Sequence, residues 1–133
     1  MTDSSRLFIR IAAASGAIAV AIGAFGAHGL KPLLTEYQLG IYEKGVHYQF
    51  YHTLALMAVA MLMNGDNNNV RYLRLSGWFF TAGILCFSGS LYLLACRDIM
   101  AVPAAVLGPV TPLGGVFFTV GWVLLLLSVR ERQ

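Results

Sequence analysis

The chain alternates long apolar stretches with short polar connections. A helix of roughly 18 or more apolar residues is needed to cross about 30 Å of hydrocarbon, and four stretches approach or exceed that length. The predicted spans are residues 7–28, 46–63, 75–95 and 113–129. Because they occupy nearly all of the 133 residues, the pattern predicts one membrane domain, residues 1–133, folded as an all-α four-helix bundle.

Local signals refine two of these helices and one connection. Thr35, followed by Gln38 three residues later, fits a capping box, so the second helix is predicted to begin near residue 35. Pro103, Pro109 and Pro112 interrupt the last apolar stretch, and proline breaks a helix interior. We therefore expect a short outer segment, a bend around residues 108–112 and a spanning helix from residue 113. The connection at residues 64–69 is predicted to be only a polar turn.

The composition agrees with an integral membrane protein. The chain is 58% hydrophobic and 11% charged, with a mean hydropathy of +0.70, far above that of an ordinary soluble domain. We expect the first helix to be retained rather than cleaved as a signal peptide.

The charges set an orientation. The two termini and the second connection carry Arg6, Arg10, Arg71, Arg74, Arg130 and Arg132, whereas the other connections carry only Lys31, Lys44 and Arg97. Positive residues stay on the cytoplasmic side, so both termini are predicted to be cytoplasmic in a multi-pass protein of the cell inner membrane. The net charge of +3 is explained by this bias, and the expected partner is the lipid bilayer, with no nucleic acid.

The three histidines lie at one end of the spans, but helical geometry separates two of them. At about 100° per residue, Glu43 and His47 share one face of the second helix, while Gln49 and His52 share roughly the opposite face. A metal held jointly by His47 and His52 is therefore not expected. Glu43 and His47 are predicted to form an interfacial pair.

Polar side chains inside a membrane are costly unless they face the bundle or water. Those of the outer half form the candidate ligand-binding set of an outer polar pocket: His28, Gln49, His52, Ser88, Ser90, Tyr92 and Thr111. Gln49 and His52 can also be interpreted as hydrogen-bonding residues that only hold helices together. Catalytic residues are not assigned, and any cofactor or metal stays open. Cys86 and Cys96 are predicted to be free thiols, because ten residues of one helix separate them by about 15 Å.

Four ordered motifs carry a resemblance to a known family. They are GAFGAH at residues 23–28, YQ at 48–49 with HTL at 52–54, SGSLY at 88–92, and TPLGG at 111–115. Together they resemble the domain of unknown function 423 family over essentially the whole chain. The resemblance implies a small four-span membrane protein, located in the inner membrane in bacteria, and implies no activity. The proline-rich residues 101–110 depart from the family's pattern, so the resemblance does not fix the residue at which the last span starts.

Three classes of function follow from the residues. The first is a non-catalytic packing or accessory protein, whose small-residue stripes on the first, third and fourth spans favour dense helix association, within one chain, in a homo-oligomer or in a larger membrane complex. The second is a binding or transport module for a lipid headgroup, quinone, small solute or metal. The third is a membrane enzyme using His52 with Ser88 or Ser90, which lacks an acidic partner in the outer half of any span.

Overall fold

The computed structural model describes residues 1–65 and 68–129 and is all-helical over these residues, as the apolar pattern predicts. Two of the long helices contain a wider π-helical turn. The elements in chain order are α1 (Asp3–Phe25), a first π turn (Gly26–Leu30), α2 (Glu36–Leu62), α3 (Val70–Gly83), a second π turn (Ile84–Ser88), α4 (Gly89–Ala95), α5 (Arg97–Met100), α6 (Ala104–Leu107) and α7 (Val110–Ser128).

Within the described residues, three helical stretches are long and apolar enough to cross a membrane: Asp3–Leu30, Val70–Ala95 and Ala105–Ser128. α2 has 27 residues, which is about 40 Å at 1.5 Å per residue and therefore long enough. It differs from the other three because polar side chains interrupt its apolar sequence between residues 47 and 53.

α2 and α3 occupy the middle of the bundle. α1 packs along α2, α7 packs along α3, and α2 also packs on the second π turn and α4. α1 and α7 lie against different central helices, and the grooves on the bundle include one between α1 and α4 and one between α2 and α7.

Aromatic side chains fill the space that glycines leave on neighbouring helices. Phe8 of α1 lies against Gly77, and Phe80 of α3 lies against Gly121 of α7. Both rings are fully buried. Ala12 and Ala19 of α1 are 1% exposed, so these two residues of the small-residue stripe on the first span serve contacts within the chain.

The helix starts follow local chemistry. Thr35 caps α2, and the backbone N–H of Thr35 donates to Gln38 Oε1 at 2.9 Å, so the predicted capping box is present. α7 begins at Val110, three residues before the predicted start at residue 113. The prediction overestimated the effect of Pro112, which lies in the first turn of α7, where the missing N–H has no helical acceptor.

The connection after α2 is more than a polar turn, which corrects the prediction for residues 64–69; residues 66 and 67 lie outside the described residues. Asn64 Nδ2 donates to Ser5 Oγ at 2.9 Å, and Ser5 Oγ donates to the Ala60 carbonyl at 2.8 Å. The backbone N–H of Asn69 donates to the Ser128 carbonyl at 2.8 Å. This end of the bundle is therefore joined by hydrogen bonds to both α1 and α7.

Candidate functional site

His52 lies on the side of α2 that faces α7 and is 6% exposed. Its Nδ1 is 2.7 Å from the Tyr48 carbonyl oxygen, and the indole Nε1 of Trp122 is 3.3 Å from its Nε2. A carbonyl only accepts and an indole N–H only donates. The two contacts together therefore require the neutral imidazole with its proton on Nδ1 and a lone pair on Nε2.

The imidazole is held flat against a phenyl ring. The ring centroids of His52 and Phe118 are 3.4 Å apart and their planes differ by 9°. Phe118 reaches this position because Gly83 of α3 has no side chain in its way. The sequence did not reveal Phe118 or Trp122 as partners of His52, since both positions depend on how α7 is rotated against α2.

His52 forms part of the wall of a groove between α2 and α7 with a volume of about 830 Å³. Tyr48 and Tyr51 line the α2 side, Phe87 of the second π turn lies between the helices, and α7 contributes residues from Pro112 to Trp122. The ten residue steps from Pro112 to Trp122 correspond to about 15 Å along the helix. The groove is thus elongated, mostly apolar with several aromatic side chains, and of a size typical of small-molecule sites.

Gln49 belongs to a different cluster, on the α1 side of α2. Its Nε2 donates to the Ser15 carbonyl at 2.9 Å, and its Oε1 accepts from the Tyr92 hydroxyl at 2.7 Å. Ser15 and Thr53 share a hydrogen bond of 2.7 Å between their hydroxyls. All the polar groups named here are paired, so this cluster, which we call the Gln49 network, joins α1, α2 and α4.

Ser15 and Thr53 were not among the predicted site residues. Ser15 lies between Ala12 and Ala19 on the small-residue face of α1 at helical spacing. A hydroxyl on such a face is a signal that could have identified it. Thr53 carried no comparable signal, because it is next to His52 in sequence and faces another helix.

Ser90 and Thr111 form a third contact, nearer the start of α7. Their hydroxyl oxygens are 2.7 Å apart, and Ser90 Oγ also donates to the Phe87 carbonyl at 2.9 Å. Thr111 lies about 16 Å from Trp122 along α7 at the helical rise. Ser88 is 1% exposed, and its hydroxyl has no hydrogen-bond partner among the described residues.

His28 and His47 lie apart from these clusters, and both are exposed. The opposite orientation of His47 and His52 on α2 is as predicted. The expected Glu43–His47 pair is not formed in the described part of the chain, where the two ion pairs are Arg6–Asp3 and Arg97–Asp98. The exposed position of His47 explains this, because neither side chain is held towards the other.

The predicted site residues therefore occupy several separate places rather than one outer pocket. His52 lines the groove between α2 and α7, Gln49 and Tyr92 form the Gln49 network, and Ser90 pairs with Thr111. Ser88 is buried by itself and His28 is exposed. The clusters are separate because different helices pack against α2 and α4 at each place. Helical spacing within one helix does not specify which helix will be its neighbour.

The same geometry bears on metal and enzyme chemistry. Within residues 1–65 and 68–129, no three His, Cys, Asp or Glu side chains are grouped so that they could hold a metal ion. Both ring nitrogens of His52 are engaged, by Tyr48 and Trp122. A serine activated by His52, which a hydrolase would need, is therefore not assembled in this arrangement.

The fold and these contacts describe an all-helical membrane protein with polar groups inside its bundle. The family described as "Protein of unknown function (DUF423)" matches residues 22–115. A UPF0382 membrane protein of Staphylococcus aureus (strain bovine RF122 / ET3-1) is 42% identical over 92% of this chain and 94% of its own length. The UPF0382 membrane protein YwdK of Bacillus subtilis (strain 168) is 38% identical over 92% of this chain and 95% of its own length.

None of the solved structures matches the chain. The family match and the relatives nevertheless agree over most of its length, so the protein belongs to the DUF423 family of UPF0382 membrane proteins. The resemblance found in the four sequence motifs is confirmed.

Proposed function

We propose that this protein is a four-span, non-catalytic protein of the inner membrane that binds a bilayer-soluble small molecule in the groove between α2 and α7. The Gln49 network and the Ser90–Thr111 pair serve helix packing in this proposal, and His52 faces the ligand. Packing and binding are thus assigned to different residues of one bundle.

α2 is the proposed fourth span because three polar residues in its middle are shielded, while His47 is exposed nearer its start. Gln49, His52 and Thr53 are all buried, whereas Leu54 and Met61, which are apolar, are more than half exposed. This distribution suits a helix with its polar face towards its neighbours and its apolar face towards lipid. The excess of arginine near the termini and the second connection supports the cytoplasmic placement of both termini.

One observation carries the binding proposal. Among the described residues that line the groove, His52 and Trp122 form a hydrogen-bonded pair whose nitrogens are 3.3 Å apart, within apolar and aromatic walls. Ligand sites typically combine apolar walls with a few placed polar groups. The Gln49 network differs because Gln49 is held by shorter hydrogen bonds, of 2.9 Å to the Ser15 carbonyl and 2.7 Å from the Tyr92 hydroxyl.

Native mass spectrometry of protein released gently from membranes tests the proposal. Thr119 lines the groove and is exposed, so Thr119→Trp should fill the groove and remove a co-purifying small molecule. Leu126→Trp is the matched control, since Leu126 is on the same helix, is 73% exposed and does not line the groove. The proposal is wrong if wild type carries no such molecule or if both folded variants retain it equally.

A further inference from the structure

We propose that the groove between α2 and α7 selects a neutral, ring-bearing molecule with a free hydroxyl group, such as a phenol or a hydroquinone, over the corresponding ether. This inference rests on the proposed function and adds the chemical class of the ligand. It follows from the hydrogen-bonding capacity of the His52–Trp122 pair and from the walls around it.

The pair presents one donor beside one acceptor. Trp122 Nε1–H can only donate, and His52 Nε2 can only accept while Nδ1–H is bonded to the Tyr48 carbonyl. The Trp122–His52 distance of 3.3 Å exceeds the usual N–H to acceptor separation of about 2.9–3.0 Å. This is the longer and weaker of the two contacts of the imidazole, so it is the one that a ligand would replace.

A hydroxyl group complements both atoms. It can accept from the Trp122 N–H and donate to His52 Nε2, so neither protein group loses a partner. An ether oxygen can accept from Trp122 but leaves Nε2 without a donor, and an unpaired buried acceptor is unfavourable. Trp122 is 48% exposed, which leaves its indole room on the outer side to turn and admit the hydroxyl.

The walls favour a ring over an acyl chain. Tyr48 and Phe87 are stacked with centroids 4.6 Å apart and planes differing by 28°, and Phe118 lies flat under His52. Such surfaces suit offset stacking of another ring. Among the described residues, no Asp, Glu, Lys or Arg lines the groove, so a neutral ligand matches it better than an ionic headgroup.

Tryptophan fluorescence in lipid nanodiscs provides the test, because the chain has only two tryptophans and Trp78→Phe leaves Trp122 as the reporter. The probes are 4-cyclohexylphenol and its methyl ether, compared at equal mole fraction in the bilayer. We expect a saturable change in Trp122 emission with half-saturation at about tenfold lower mole fraction for the phenol, the scale of one net hydrogen bond. Trp122→Phe, which retains Trp78, is the control and should show no saturable change.

A second measurement avoids dependence on a variant. In wild-type protein containing ¹⁵N-histidine, the phenol should shift the His52 Nε2 resonance at about tenfold lower mole fraction than the ether. Equal half-saturation for the two probes would overturn the hydroxyl preference and leave groove binding intact. If neither probe changes Trp122 emission or the His52 resonance, the hydroxyl preference and the proposed binding function both fail.

Discussion

At the scale of single residues, most buried polar side chains of this bundle find a protein partner in place of water, and the exception among the described residues is the Ser88 hydroxyl. Ser76 Oγ donates to the Gly121 carbonyl at 2.8 Å, which joins α3 to α7. Gln49 does the same between α2, α1 and α4 with two hydrogen bonds. A side chain that forms hydrogen bonds to two neighbouring helices should contribute to stability.

Replacing Gln49 by leucine should lower the free energy of unfolding by about 1–2 kcal/mol, because it removes two interhelical hydrogen bonds and leaves the Tyr92 hydroxyl without its acceptor. Thr119→Val is the control, since the Thr119 hydroxyl bonds only to the Gly115 carbonyl of its own helix. Unfolding in mixed detergent micelles, followed by circular dichroism, measures both. Equal effects of the two substitutions would contradict the structural role of Gln49.

Cys96 offers a prediction about pH. Partial burial raises the pKa of its thiol above the ordinary value, and the thiolate is the form that reacts with alkylating agents. In a Cys86→Ser variant, the alkylation rate of Cys96 should therefore reach half its maximum at a higher pH than that of free cysteine. After unfolding in denaturant the two profiles should coincide.

The sign of the linked effect on stability follows from the same shift. Because the folded state favours the protonated thiol, its contribution to stability is present below the pKa of the unfolded state and is lost as pH rises through the raised pKa of the folded state. An alkylation profile of the folded variant displaced to lower pH would contradict this assignment.

At the scale of elements, small residues set how closely α7 can approach α3 and the second π turn. A side chain at Gly114 would overlap the backbone N and Cα of Phe87, whereas one at Gly115 would come within only 3.9 Å of the Phe87 ring. Two adjacent glycines in one helix therefore have different roles, and each can be tested with the same substitution.

Gly114→Ala should destabilise the protein by about 1–3 kcal/mol, because the backbone of the π turn cannot move aside as a flexible side chain can. Gly115→Ala should be neutral or stabilising by up to about 1 kcal/mol, as alanine is the better helix former. The same micelle unfolding assay compares them. A Gly114→Ala variant as stable as Gly115→Ala would show that α7 does not pack as closely as described.

The elements also show which features the sequence could predict. Apolar length predicted helices, and the Thr35–Gln38 pair predicted where α2 begins, because capping is local chemistry. The two π turns were not predicted, since the local sequence does not distinguish them from ordinary helix. A π turn adds a residue to one turn, so residues before and after Ile84–Ser88, such as Thr81 and Tyr92, do not keep the angular relation that an ideal helix would give them.

The candidate site likewise has features that could be predicted from the sequence and features that could not. The separation of His47 from His52 needed only the geometry of one helix and could be predicted. The stacking of His52 on Phe118 and its contact with Trp122 need the rotation of α7 relative to α2. A single sequence does not specify that rotation. Grouping residues by their depth in the membrane therefore joined residues that belong to separate clusters.

At the scale of the whole molecule, the arrangement explains how a polar helix can lie inside an apolar bundle. α2 is placed between α1 on one side and α3 with α4 on the other. Gln49 bonds to α1 and α4, and His52 contacts Trp122 of α7. From the charge asymmetry we expect both termini to face the cytoplasm. Orientation is a property of the whole chain, so its test needs one labelled residue at each end of the bundle.

The two connections that follow α2 and α4 provide that test. Cys96 is partly exposed at the end of α4, and Gly65 is exposed after α2. A cysteine side chain at Gly65 is tolerated, because its Cβ would meet Asn68 Nδ2 at 3.5 Å and the Leu62 carbonyl oxygen at 3.6 Å. With both termini cytoplasmic, Cys96 belongs outside the inner membrane and residue 65 inside.

In intact cells with a permeable outer envelope, a membrane-impermeant maleimide should label the Cys86→Ser variant at Cys96. Gly65→Cys, made with Cys86→Ser and Cys96→Ser, should be labelled only after the inner membrane is permeabilised. Labelling at alkaline pH compensates for the raised pKa of Cys96. The opposite pattern would reverse the orientation, and labelling of both positions from the same side would mean that Val70–Ala95 does not cross the membrane.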